Sequence, residues 1–153
     1  MSFPEAIGMA KVIVYPPTSL ILSDLVERMG HQALVVPSVV RERVTTPGID
    51  SPPLNMTPEE PKKGLRYAAV DVPSGVRGRM SLIGPLIEQA DAGIILNEPG
   101  CLTGCSGCAR TNELVRLLIK TKGIPVLEVS YPKDEVEARA FVRQIKSFLE
   151  GLK

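Results

Sequence analysis

The three cysteines of the chain, Cys101, Cys105 and Cys108, all lie within eight residues of one another. Spacings of three and then two intervening residues allow three thiolates to converge on one side of a tight loop, and the glycines between them permit the positive φ angles that such a loop requires. Three thiolates without a fourth ligand nearby suit a cubane 4Fe–4S cluster, with one iron left for a partner, a substrate or a second chain. Zinc prefers four protein ligands. The pattern therefore predicts a metal site, with an iron–sulfur cluster as its first interpretation.

The same cysteines support two other interpretations. Cys105 and Cys108 form a C-x-x-C motif, which after a strand and at the start of a helix is typical of a thiol–disulfide redox pair, with Cys101 as a resolving or bystander thiol. Alternatively, all three are reduced thiols with no role. The single histidine, His31, is a poor fourth ligand, because it precedes a strand and is therefore expected about 17 Å away at the opposite edge of a sheet. We expect His31 to lie on the surface.

A second group of candidate residues lies between a predicted strand and a predicted helix. Ser74, Gly75, Arg77, Gly78 and Arg79 form a glycine-containing turn with two cations. Backbone N–H groups of such a turn bind phosphate or carboxylate, and guanidinium groups grip it bidentately. The alternative is an ordinary loop whose arginines are solvated or paired.

Two residues beside the cysteines complete the candidate set. A helix predicted to begin at Thr111 or Asn112 directs free N–H groups and a partial positive charge at Cys108, and Arg110 adds a full positive charge. Both effects favour thiolate over thiol. We therefore include Arg110 and Asn112 among the residues expected to bind a cofactor or ligand.

Alternating apolar runs and amphipathic stretches indicate the elements that position these residues. The expected strands are residues 11–15, 33–36, 93–96 and 124–129, and the expected helices are residues 20–29, 80–90, 113–122 and 134–152. Strands that alternate with helices indicate a parallel sheet covered on both faces. We predict a single three-layer α/β domain over residues 1–153, Rossmann-like or flavodoxin-like, with a mostly parallel sheet of four to five strands.

Residues 37–65 interrupt this alternation and are expected to form an irregular, proline-rich excursion. Six of the fourteen prolines lie between Pro37 and Pro61. Thr57 and Pro58 resemble a helix start, but Pro61 removes a backbone donor, so we expect only a short helical turn. Residues 65–72 are expected to form a further strand.

Composition narrows the classes of function. The chain has 153 residues, of which 44% are hydrophobic and 23% charged, and a formal net charge of +1. This balance argues against an electrostatic nucleic-acid partner. No apolar run approaches the roughly 20 residues of a membrane span, and the first residues do not form a signal peptide. We expect a cytoplasmic protein with no membrane association; the residues alone assign no enzymatic reaction.

Several stretches resemble methanogenesis marker protein 5, a small family of methanogenic archaea. The resembling stretches are residues 14–17 with 20–28, 49–55, 61–65, 72–80 and 107–114. They include Arg77, Arg79, Arg110 and Asn112. The resemblance implies an anaerobic archaeal cytosol, a role linked to methane formation, and a protein partner in that machinery. The family supplies no established activity or catalytic residues.

The C-terminal part, residues 123–129 and 134–152, also resembles 2-hydroxyacyl-CoA dehydratase subunits, which carry iron–sulfur clusters on Rossmann-like lobes. Together these observations predict a methanogenesis-associated accessory or maturation factor with a cluster-binding cysteine loop. The alternatives are a non-catalytic module that binds a nucleotide or another small anion, and a thiol–disulfide redox protein.

Overall fold

A computed structural model describes residues 8–45, 59–97 and 106–152. The elements in chain order are β1 (Lys11–Tyr15), α1 (Leu20–Arg28), β2 (Gln32–Leu34), α2 (Val36–Thr45), α3 (Glu59–Gly64), α4 (Ser74–Gln89), β3 (Ala92–Asn97), α5 (Ser106–Thr121), β4 (Val126–Ser130) and α6 (Glu135–Glu150). This alternation confirms the predicted α/β class. Within the described residues no helix combines the length and the apolarity needed to cross a bilayer.

The four strands form one sheet in the order β2-β1-β3-β4, and every pair is parallel. Ile13 of β1 pairs with Leu34 on one side and Gly93 on the other. This order is that of a flavodoxin-like fold, in which successive connections leave β1 and β3 toward opposite edges of the sheet. The carboxyl ends of β1 and β3 therefore flank the topological switch point.

Alternate residues of the strands build two cores, one on each face of the sheet. On one face, Ile13 and Ile95 pack against buried side chains of α4 and α5, such as Met80 and Ile119. On the other face, the buried side chains are contributed mainly by β1, β3, α1 and α6. They are Val12, Val14, Leu22, Val26, Ala33, Val35, Ala92, Ile94, Leu96, Val129, Ile145 and Leu149. We call these the α4–α5 face and the α1–α6 face.

The helix ends follow the expected local chemistry. The Ser19 hydroxyl accepts a hydrogen bond from the Leu22 amide at 3.3 Å and caps α1. An Asp134 carboxylate oxygen accepts one from the Glu137 amide at 2.8 Å and caps α6. Gly30 follows α1 with φ +84°, a left-handed conformation that glycine adopts without strain. These short-range signals predict where the chain turns.

The irregular excursion predicted for residues 37–65 is wrong at its first described end. Residues 36–45 form α2, because Pro37 occupies the first helical turn, where proline needs no amide donor. The prediction of a strand through Val36 is wrong for the same reason. A short helix is also present at α3, with Pro61 in its first turn, as expected. Residues 46–58 lie outside the described residues.

The strand predicted for residues 65–72 is also wrong, because these residues form turns that cover α4. The Tyr67 ring lies against Gly84, leaving no space for a Cβ at that position. Arg77 of α4 donates a hydrogen bond from Nη1 to the Val70 carbonyl at 2.7 Å. Tyr67, Ala68 and Val72 therefore pack in the core beside α4, and no strand of the described residues pairs with this segment. Leu65 and Val70 are exposed.

His31 is buried, with only 4% of its surface exposed, so its predicted surface position is wrong. Its Nδ1 accepts a hydrogen bond from the Ala10 amide at 3.2 Å, and its Nε2 lies 2.9 Å from the Leu149 carbonyl. A neutral ring protonated at Nε2 satisfies both partners. His31 thus joins the chain before β1 to the end of α6.

Candidate functional site

The carboxyl edge of the sheet gathers the starts of several helices. Helices that connect parallel strands run antiparallel to them, so α1, α4 and α5 begin where the strands end. The starts of α4 and α5 lie on the same face, and the two helices pack against each other. The two predicted groups of residues, on α4 and beside the cysteines, therefore occupy the same edge of the molecule.

The cysteine positions are only partly described. Cys101 and Cys105 lie outside the described residues, in the connection between β3 and α5. Cys108 lies in the first turn of α5, because this helix begins at Ser106 and not at Thr111 or Asn112 as predicted. The sequence does not predict this first turn, because Gly107 is a weak helix former and no large apolar side chain marks the helical period there.

The earlier start of α5 changes the electrostatic environment of this segment. The unpaired amides of a helix belong to its first turn, so here they come from Ser106 onward and not from Thr111. Arg110 and Asn112 lie within the helix, where Arg110 is exposed and Asn112 half-buried. The positive end of α5 therefore begins directly after Cys105.

The predicted anion-binding loop is the beginning of α4. Ser74 and Gly75 are exposed in its first turn, and the N-cap residue Pro73 makes no side-chain hydrogen bond. Gly78 is buried and Arg79 is exposed.

Arg77 contacts the segment before α4. Its Nη1 donates a hydrogen bond to the Val70 carbonyl, and its Nε is buried without a hydrogen-bond partner among the described residues. The structure therefore brings the backbone of Ser74 and Gly75 to the carboxyl edge, with one guanidinium nitrogen of Arg77 bound to the main chain.

A polar network that the sequence analysis missed lies at the ends of β3 and β4. Asn97 Oδ1 accepts a hydrogen bond from Arg116 Nη2 at 2.6 Å, and Asn97 Nδ2 donates to Glu128 at 3.3 Å. Lys120 Nζ lies 2.8 Å from Glu128 Oε1. These hydrogen bonds, first from Lys120 and then from Asn97, lower the pKa of the Glu128 carboxyl below its ordinary value.

The network places a cation next to the start of the β3–α5 connection. The Arg116 side chain is 28% exposed and also lies 3.4 Å from Glu113. The only feature of the sequence that indicates this network is the spacing of Glu113, Arg116 and Lys120 along one helix. The partners on β3 and β4 cannot be read from that spacing.

Among residues 8–45, 59–97 and 106–152, no cluster of three or more histidine, cysteine and acidic side chains could hold a metal ion. This observation does not test the three-cysteine set, since two of its members lie outside those ranges. The carboxyl edge provides a helix start and cationic side chains, which are features suited to holding negative charge.

The whole described chain matches one family model. The model is described as "Uncharacterized protein conserved in archaea (DUF2112)" and covers residues 10–152. The chain belongs to this archaeal family. It is also 58% identical over 144 residues to the "Uncharacterized protein MJ0404" of Methanocaldococcus jannaschii, covering 94% of this chain and 96% of that protein. No solved structure matches the chain.

Proposed function

We propose that this member of the archaeal family is an accessory or maturation factor of methane formation, and that Cys101, Cys105 and Cys108 hold a 4Fe–4S cluster. The observation that supports this most directly is the position of the two elements that flank these cysteines in the chain. β3 ends beside the switch point, where flavodoxin-like proteins bind ligands, and α5 begins at Ser106 with its positive end.

The described residues fit a negatively charged thiolate site. The first turn of α5, which includes Cys108, has backbone amides without intrahelical partners, and these stabilise thiolates. Arg110 is exposed on the next turn, and Arg116 lies at the end of β3 through its hydrogen bond to Asn97. A cluster, when bound, would supply one-electron chemistry or a Lewis-acidic iron with an open coordination position.

The relationship to a methanogen protein supports the biological setting. The alignment with the relative from Methanocaldococcus jannaschii covers nearly the full length of both proteins, so the similarity is not confined to one segment. The resemblance to methanogenesis marker protein 5 points to the same setting. We therefore propose a protein partner within the methane-forming machinery and an anaerobic cytoplasmic location.

Iron and sulfide analysis of anaerobically purified protein tests the cluster. We expect a brown protein with about four iron and four sulfide per chain, as a cubane cluster requires. Cys101→Ser, Cys105→Ser and Cys108→Ser should each lower the iron content strongly, whereas the neighbouring Ser106→Ala serves as the matched control. Colourless, iron-free protein that resists anaerobic reconstitution would refute the proposal.

The Cys101→Ser variant distinguishes cluster binding from thiol–disulfide exchange. A redox pair requires only Cys105 and Cys108, and the position of Cys108 in a helix's first turn would favour its thiolate. If Cys101→Ser retains full activity in disulfide exchange while the wild type holds no iron, the redox interpretation replaces the cluster. The pH dependence of alkylation at Cys108 would then report its thiolate pKa directly.

The start of α4 supports a second candidate function, the binding of a small anionic metabolite or nucleotide. Its cap residue, Pro73, contributes no side-chain hydrogen bond to the first amides, which include those of Ser74 and Gly75. Thermal shifts with inorganic phosphate, nucleotides and coenzyme A test this candidate. Gly75→Pro, which removes an amide in the first turn, should abolish any ligand-dependent shift; a shift that is unchanged in this variant argues against the site.

A further inference from the structure

The α1–α6 face contains a cavity of about 460 Å³ that opens at the carboxyl edge of the sheet. Three of its lining residues lie at the carboxyl ends of strands: Pro16 after β1, Leu96 near the end of β3 and Tyr131 after β4. The cavity therefore lies at the edge that contains the switch point. Its walls are the starts of α1 and α6. Those walls are formed by Ile21, Leu22, Ala138, Phe141 and Val142.

The cavity exists because α6 packs unevenly along its length. Near the amino edge of the sheet, Ile145 and Leu149 are fully buried. One to two turns earlier, Ala138, Phe141 and Val142 are only half-buried and line the cavity. The helix is therefore sealed at one end and leaves a cleft at the other.

The chemistry of the lining selects a class of ligand. None of the described residues that line the cavity carries a charge. On its α1 wall Ile21 is 68% exposed although it is a large apolar side chain, so a ligand with an apolar body would remove this surface from water. A ligand whose charge lay deep in the cavity would find no counter-charge there.

Hydrogen-bond donors lie at one end of the cavity, where α1 begins. Ser19 already satisfies the amides of Leu22 and Ser23, through its hydroxyl and its carbonyl. The hydrogen bonds of the described residues leave the amides of Leu20 and Ile21 without partners, as is usual for the first turn of a helix. Thr18, an exposed residue, lines the cavity at the same end. These groups suit one hydrogen-bond-accepting end, such as a carboxylate.

We propose that this cavity binds a small amphipathic molecule with an apolar chain or ring and a single accepting end, oriented with that end toward the start of α1. Its size lies within the range of ordinary ligand pockets, which are mostly apolar with few polar groups. The proposal is independent of the cysteines, because none of them lines the cavity as described.

Titration of the full-length protein with decanoate, followed calorimetrically, tests the proposal, with decan-1-ol and acetate as matched probes. We expect saturable one-to-one binding of decanoate, weaker binding of decan-1-ol, and none of acetate, because most of the affinity comes from apolar burial. Absence of saturable decanoate binding, including the case in which another part of the chain fills the cavity, overturns the proposal.

Two variants locate the binding. Ala138→Phe fills the cavity, and Ile21→Glu places a negative charge at its wall on a side chain that is largely exposed and unimportant for folding. Each should weaken decanoate binding about tenfold or more, a loss of roughly 1.4 kcal/mol. Leu117→Glu, which changes a large apolar residue that is 56% exposed on the opposite face, should leave decanoate binding unchanged.

Circular dichroism and the melting temperature establish that each variant is folded. If Ala138→Phe does not fold, Ile21→Glu still decides the question, since its side chain lies mostly in solvent. Decanoate binding that survives in a folded Ile21→Glu protein, or that is lost equally in Leu117→Glu, refutes the assignment to this cavity. Iron content measured on the same samples keeps this result separate from that of the cluster.

Discussion

The two faces of the sheet are filled differently along their length. On the α4–α5 face, the turns after α3 lie over α4, and Lys122 closes the end of α4 through hydrogen bonds to the carbonyls of Ile87, Glu88 and Ala90. On the α1–α6 face, packing is complete at the amino edge and open at the carboxyl edge. The comparison shows that one face of a small α/β domain can be tightly packed at one end and keep an apolar, uncharged cleft at the other.

The largest expected effect contrasts the two ends of α6. Leu149→Ala should reduce the free energy of unfolding by about 3–4 kcal/mol, because it removes a fully buried side chain and leaves a cavity. Phe141→Ala should cost about 1 kcal/mol or less, because Phe141 is half-buried beside an existing cavity. Chemical denaturation measures both, and equal losses would contradict the open corner.

The tight packing of the α4–α5 face can be broken at Gly64. A Cβ at this position would collide with the Arg77 carbonyl, a backbone group that cannot move aside alone. We expect Gly64→Ala to lower the free energy of unfolding by about 3 kcal/mol.

Gly75→Ala is the matched control for Gly64→Ala. Gly75 lies in α4, and a Cβ added there would meet no atom within 4 Å, so Gly75→Ala should stabilise the protein by about 0.5 kcal/mol through helix propensity. If Gly64→Ala leaves the free energy of unfolding unchanged in denaturant titrations, α3 does not contact α4 as closely as the structure indicates.

The sealed edge of the α1–α6 face depends on His31. His31→Ala removes the hydrogen bonds that His31 makes with the Ala10 amide and the Leu149 carbonyl. We expect the free energy of unfolding to fall by about 2–3 kcal/mol. Amide hydrogen exchange should speed up most at Ala10 and near the end of α6. An unchanged exchange pattern would mean that this edge is held by apolar packing alone.

The smallest expected effect concerns Glu128 at the carboxyl edge. The pKa of its carboxyl is lowered in the folded protein from the ordinary 4.5, mainly by the Lys120 hydrogen bond. The carboxylate therefore contributes to the free energy of unfolding above pH 4.5, and this contribution is lost as the pH falls through the lower, folded pKa. The carboxylate is 41% exposed, which limits the contribution to about 0.5 kcal/mol. Glu128→Gln should therefore melt slightly below the wild type at pH 7. The two should converge at low pH, and a difference that grows on acidification would contradict this assignment.

Sequence patterns predicted the regular parts of the fold and failed where distant residues decide. The strand at residues 11–15 was predicted to the residue, α1 begins at the predicted residue 20, and α5 ends one residue before the predicted 122, since such signals act within a few residues. The strand predicted for residues 65–72 was wrong because apolar residues there pack on a helix.

The place of the described candidate residues in the fold could be predicted, but their contacts could not. The cysteine spacing and the strand–helix alternation point to the carboxyl edge, where the described start of α5 lies. The hydrogen bond that occupies Arg77 could not be predicted, because its acceptor is the backbone of an irregular segment whose path follows no local pattern.

The sequence by itself determined the alternation of strands and helices, the faces that they bury and most of their caps, because periodicity and capping depend on neighbours a few residues apart. Only the tertiary structure decided that His31 is buried, that Asn97 links Arg116 to Glu128, and that the corner between α1 and α6 is open. Each of these depends on residues far apart in the chain, such as His31 and Leu149, whose distance is set by how the elements pack.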